Sequence, residues 1–267
     1  MNRKHIASSL ICAALLLVLL LAGCSMVSDA VLGGASKGAS RAVSKQVEQA
    51  VYKRMAPREE LPPPGNPNWG QYMAFQAQVV FSYSFSAGGF WLGQVGYAPG
   101  DTTTFDWQAS GEDSVIMEKA FLKKLDGGKE WWRVSWKDGE DYWVYEALLD
   151  MEGGQLLRLR ARDAEGNEGE VPVTGETIYI PPTEPTPESI AGATVATETV
   201  KTPAGSFKAD HIVYLSTGGE GQIEFWTTDE VPGGVVQYLL SSKEEGVIWN
   251  SILTEYGSNA TTMLGSF

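Results

Sequence analysis

The sequence predicts an all-β fold, mainly antiparallel, in which a curved meander sheet or partial barrel follows a signal peptide and a helical stalk. Three observations carry that reading. Apolar and polar residues alternate with period two over long stretches beyond Asn68. Glycine-bearing turn pairs separate these stretches at regular spacing: Asp126-Gly127, Asp138-Gly139, Gly153-Gly154 and Gly166-Asn167. Hydrophobic residues make up 43% of the 267 residues and aromatics 10%, which is enough apolar surface to build a core.

The chain begins with residues 1–23, where Arg3 and Lys4 precede an apolar run from Leu10 to Ala22. The run is short for a membrane span and has the layout of a cleaved secretory signal. It ends in Leu21-Ala22-Gly23-Cys24, which resembles the bacterial lipobox. That resemblance implies cleavage before Cys24, diacylation of its thiol, and a lipid-anchored protein. Ser25 in the next position favours outer-membrane sorting in that family. Several buried acyl chains, at about 0.8 kcal/mol per CH₂, hold a protein to a bilayer almost permanently.

Residues 24–67 read as a stalk and spacer. Val43, Val47, Ala50 and Val51 recur at helical steps, and Lys37, Arg41 and Lys45 form a basic stripe. The stretch is a helical stalk or a helix lying on the membrane surface. Pro57 ends it, and Leu61-Pro62-Pro63-Pro64-Gly65 makes a stiff spacer. Residues 25–60 hold six basic against four acidic side chains, whereas residues 61–267 hold 12 against 29. Anionic head groups attract the first piece and repel the second.

Residues 68–267 form the β domain. Gln71–Ser86 alternates through Phe75, Ala77, Val79, Phe81, Tyr83 and Phe85 and is read as a long strand. Leu92–Tyr97 and Thr103–Trp107 follow as shorter ones. Trp132, Val134 and Trp136 share one face of a strand that turns at Asp138-Gly139 into Tyr142–Tyr145. Thr174–Ile190 carries Pro181, Pro182, Pro185 and Pro187, so it is expected as a loop or flap. Thr197–Lys201, Phe207–Ser216, Gln222–Thr228, Gly234–Ser241 and Val247–Tyr256 complete the sheet.

Composition excludes several chemistries. A net charge of −13 argues against nucleic acid as a partner. The cysteines are Cys12, inside the signal, and Cys24, so thiol catalysis, disulfides and cysteine-based metal sites are excluded. His211 is the one histidine after the signal. Its neighbour Asp210 would point to the other face of a strand, which favours a hydrogen-bonded structural role over a dyad. Gly34-Ala35-Ser36-Lys37-Gly38 matches a nucleophile elbow by letters, but it lies in the stalk without the strand before it that the elbow requires. Asp163, Glu165, Asn167, Glu168 and Glu170 crowd one loop; a solvated hairpin tip fits better than a calcium loop, because Glu168 stands where the turn glycine is needed. No catalytic residue, metal ligand or cofactor is expected, and the protein is read as a non-enzyme.

Nine tryptophans remain as the unusual feature. Most are expected in the core. The alternative is an aromatic concavity lined by Phe81, Tyr83, Trp132, Trp136, Trp143 and Trp226, able to hold a lipid or other apolar ligand. A lipobox, a curving meander, a Pro-rich flap and a closing hairpin set together resemble the bacterial lipoprotein-carrier superfamily. Val200-Lys201-Thr202-Pro203-Ala204-Gly205-Ser206-Phe207 is similar to a turn in several envelope domains, and Glu230–Val236 after Phe225-Trp226 is similar to the segment that accompanies it. The resemblance implies an unclosed barrel, an outer-membrane anchor, a periplasmic position and an apolar ligand. A structural or assembly role, docking another envelope protein through strand edges or aromatic patches, stands beside it.

Overall fold

A computed structural model describes residues 62–87, 90–91, 96–110, 113–151, 155–173, 186–215, 221–244 and 246–267. The signal, Cys24 and the stalk lie outside the described residues. So do Gly153-Gly154 and most of the Pro-rich segment.

The first described element corrects the sequence reading. Residues Pro67–Phe85, expected as a strand, form helix α1. Asn66 starts it, accepting from Asn68 N–H at 2.9 Å through its side chain and from Gly70 N–H at 3.2 Å through its carbonyl. Pro67, locked near helical φ and lacking an N–H to leave orphaned, follows the cap. Alternation misled here because apolar residues occur on both parities. The residues with almost no exposure, Trp69, Met73, Gln76, Ala77, Val80, Phe81 and Phe85, recur at helical steps of three and four.

After a short hairpin, β1 (Ser86–Ala87) with β2 (Phe90–Trp91), come six strands of a meander. They are β3 (Thr102–Ala109), β4 (Val115–Lys124), β5 (Lys129–Asp138), β6 (Asp141–Asp150), β7 (Gln155–Arg162) and β8 (Glu168–Val171). A second helix, α2 (Pro187–Ala193), occupies the end of the segment expected to be loop. Thr186 caps it, and Pro187 serves at its first position, where proline is tolerated. A second meander follows, made of β9 (Thr194–Thr202), β10 (Gly205–Leu215), β11 (Gly221–Thr227), β12 (Val235–Ser242) and β13 (Gly246–Gly257).

All neighbouring strands are antiparallel, and the sheet order is β8-β7-β6-β5-β4-β3-β13-β12-β11-β10-β9. The first long strand of one meander therefore pairs with the last of the other, Ser251 opposite Trp107. The eleven strands do not close into a barrel. β8 and β9 are the outer edges. The turn glycines sit where the sequence places them, with Gly127, Gly139 and Gly166 in the left-handed backbone that other residues reach only with strain.

The core has three parts among the described residues. One lies between α1 and β4–β7, with Phe81, Phe85, Trp132, Trp143 and Tyr145 essentially without exposure. Another gathers Val200, Phe207, Ala209, Val231, Val236 and Leu253 from the second meander, and a third gathers Ala120, Leu122 and Trp131 from β4 and β5.

Candidate functional site

The aromatic face is real, and α1 covers it. Within the first meander the register sets Met117 opposite Trp136 and Trp136 opposite Trp143, so these side chains share one face. Trp132 lies on the same face two places from Val134 and opposite Phe121, with which its ring stacks at 4.6 Å. Helix α1 lies across that row. Phe85 meets Trp132 edge-on at 5.1 Å, Phe81 stacks on Phe85 at 6.0 Å, and Tyr72 approaches Trp143 at 6.3 Å.

Polar contacts fix the helix at three points. Trp69 Nε1–H donates to Asp163 Oδ2 at 2.8 Å, Tyr145 O–H donates to Gln76 Oε1, and Lys119 Nζ donates to the Ser84 carbonyl at 3.2 Å. Asp163 also accepts from the N–H of Asn167 at 2.8 Å. The acidic loop is thus a helix anchor with its own turn. Burial raises the Tyr145 phenol well above its ordinary range, so it stays a donor.

Of the expected ligand-lining residues, Trp132, Trp136, Trp143 and Phe81 come together, Phe81 from the helix rather than from a strand. Tyr83 lies in the same helix. Trp226 does not join them. Ladder partners run Trp226, Gln237, Ile252, Asp106, Ile116, Lys137, and Lys137 points away from Trp136. Trp226 instead stacks on His211 at 4.3 Å and donates to Glu198 Oε1 at 2.6 Å. His211 is held between Glu198, 3.3 Å from Nδ1, and Glu224, 2.8 Å from Nε2. Asp210 turns away to accept from Thr197. This matches the structural role expected of the histidine.

A cavity of about 20 Å³ remains beside the C-terminal end of α1, lined by Ser84, Trp107, Met117, Lys119, Tyr238 and Ser251 among others. It has the size of a single water, whereas a ligand pocket holds roughly 300 Å³ or more. Lys119 is the unexpected member. It donates to the Ser84 carbonyl at 3.2 Å and lies over the rings of Phe85, at 4.9 Å, and Tyr97, at 5.0 Å. Burial pushes its amine down from 10.5 to about 7. The carbonyl at the helix end and the two ring faces favour the charged form and act against that shift. The signal was present in the sequence, since Lys119 continues the inward parity of Val115 and Met117.

The opposite face of the first meander carries a second polar constellation. Arg133, Glu146, Arg160 and Glu170 stand opposite one another across β5, β6, β7 and β8. Residues Thr261–Phe267 run over this row. Glu146 is fully buried and accepts from Thr262 Oγ1 at 2.6 Å, Met263 N at 2.5 Å, Leu264 N at 3.3 Å and Ser266 Oγ at 2.6 Å. Three arginines hold the segment's carbonyls: Arg133 that of Thr261, Arg162 that of Met263 at 3.4 Å, and Arg158 that of Ser266 at 3.3 Å. The Phe267 ring rests on Trp131 at 5.5 Å, with Lys123 over it at 4.9 Å.

No protein-family profile and no curated protein matches the chain. Among solved structures it is similar to one in the Pseudomonas aeruginosa MucA/MucB complex, at 13% identity over 61% of this chain and 53% of that one, with a TM-score of 0.42. A lipoprotein structure from Parabacteroides distasonis is matched at 11% identity over 60% of this chain and 96% of that one, TM-score 0.31. A domain of an outer-membrane lipoprotein-sorting protein from Vibrio parahaemolyticus is matched at 8% over 71% and 92%, TM-score 0.26. The chain spans 53% to 60% of the length of the first structures it matches.

Proposed function

We propose that this protein is a non-enzymatic envelope lipoprotein, anchored through lipidated Cys24 to the outer membrane and facing the periplasm, whose sheet domain docks another envelope protein. The observation that carries this reading is the occupancy of the concave face. Helix α1 covers it, and the cavity beside the helix end, of about 20 Å³, is too small for an acyl chain. The surfaces that remain for recognition are the edges and the outer face. β9 is nine residues long, largely exposed along its length, and an outer edge of the sheet, so its backbone offers a template for an added strand.

The apolar-ligand reading is kept for one reason. Lys119 is a buried amine beneath the end of α1, and its desolvation opposes tight docking of the helix there. A helix held against such a cost can yield its place on Trp132, Trp136 and Trp143 to a lipid.

Native mass spectrometry and lipid extraction of the Cys24→Ser chain, purified from a bacterial periplasm, separate the two. An empty protein that stays empty after incubation with envelope phospholipid vesicles supports docking. One lipid per chain overturns it and directs attention to the α1 interface.

A further inference from the structure

The segment Thr261–Phe267 has no regular secondary structure, yet seven polar contacts from side chains of β5, β6 and β7 hold it. Three of the contacts read backbone carbonyls and two read backbone N–H groups. Two more select hydroxyls at Thr262 and Ser266. Between them Leu264 is buried against the face. This is the chemistry of a peptide complex: main-chain bonds give affinity, and a few side chains give selectivity.

Two features show a site larger in capacity than its present occupant uses. Arg160, in the centre of the charged row, keeps its Nε buried with no acceptor among the described residues. The occupant also leaves part of its own apolar surface outside, with Met263 at 40% and Phe267 at 49% exposure. A segment that offers one more acceptor toward Arg160 would satisfy the site more fully than Thr261–Phe267 does.

We infer that the outer face of β4–β7 is a peptide-docking site, that Thr261–Phe267 is its self-ligand, and that the partner it takes is a protein segment with a hydroxyl residue, an aliphatic residue two places on and a second hydroxyl four places on. The inference rests on the docking reading above and names the surface for it. The cis segment regulates access: as a tethered competitor it acts at an effective concentration of about millimolar, so only a partner that binds better displaces it.

The test uses the full chain carrying Leu264→Asp and Phe267→Asp, which weaken the self-ligand and leave the face intact. The probe is a fluorescein-labelled peptide with the sequence of residues 261–267, followed by anisotropy. Saturable one-to-one binding is expected, at least tenfold weaker to the wild-type chain and at least tenfold weaker when Glu146→Gln is added. Absence of saturation, or equal binding to all three proteins, overturns the inference. Near-UV circular dichroism checks that each variant is folded. Should the double variant not fold, hydrogen exchange on the wild-type chain decides instead. The Met263 and Leu264 amides should exchange at least a hundredfold faster than those of β5 and β6, because the segment opens alone. Exchange only at the rate of global unfolding overturns the inference. Failure of the peptide removes this face and leaves the edge of β9, whereas a bound lipid removes the docking reading altogether.

Discussion

Replacing Lys119 with methionine should change how stability depends on pH. The amine sits against Ser84, Phe85 and Tyr97, and burial lowers it from 10.5 to about 7. In the unfolded chain the amine keeps its proton up to 10.5. Between about pH 7 and pH 10 the unfolded state therefore binds the extra proton, and stability rises with pH by about 1.4 kcal/mol per pH unit. Below about pH 7 both states are protonated, and the folded state carries the full cost, on the order of 5 kcal/mol from the same difference. Ring contacts worth about 0.5–2 kcal/mol each reduce that figure. Glu118 and Arg133 pair with each other at 2.8 Å on the opposite face. Above pH 10 the tyrosines act in the other sense. Tyr72, Tyr97 and Tyr145 are raised by burial, so stability falls once unfolded phenols ionise. The useful window is therefore pH 7 to 9. Methionine fills a similar volume without the charge. Urea unfolding at pH 7, 8 and 9 should show the wild-type chain gaining about 2–3 kcal/mol over that range relative to Lys119→Met. The variant should be the more stable protein at pH 7. Parallel pH profiles for the two proteins would refute the assignment of a buried, desolvated amine.

Three further outcomes are expected. Phe85→Ala removes the ring that meets Trp132 and Phe81, and should cost about 3–5 kcal/mol in chemical denaturation, with a large change in tryptophan emission. Asn66→Ala deletes the side-chain cap of α1 and should cost about 1 kcal/mol, which a Gly at the same position largely avoids. Cys24→Ser should abolish incorporation of labelled palmitate and release the protein from sedimented membranes; retention of both would refute the lipobox reading.

Strand positions were legible because local chemistry dictates them. Asp138-Gly139 and Gly166-Asn167 mark hairpins, since few residues other than glycine enter their backbone region without strain. The run Trp131–Trp136 divides into faces by simple alternation, with Trp132, Val134 and Trp136 on one and Trp131, Arg133 and Ser135 on the other, and the structure buries both. The second meander lies within a few residues of its expected bounds for the same reason. His211 was legible as a structural residue by the same parity argument.

Helix α1 was not legible through alternation; the cap at Asn66 before Pro67 is the local feature that could have marked it. Its apolar residues satisfy periods of two and 3.6 alike, and only the covering sheet selects which of them are buried. The consequence for function is large, because the helix occupies the aromatic face that the sequence alone leaves open. Lys119 and Glu146 show the same division. Each interrupts an apolar parity, which marks it as unusual, but its meaning depends on distant partners: Ser84, 35 residues away from Lys119, and Thr262 and Ser266, more than 100 residues from Glu146. By itself the sequence determined the acidic character and the turn-by-turn layout of the sheet, both of which are local in cause. The tertiary structure decided what covers each face, because burial and charge pairing belong to segments far apart in the chain: α1 on the first meander, and residues 261–267 carried back to it by the pairing of β13 with β3.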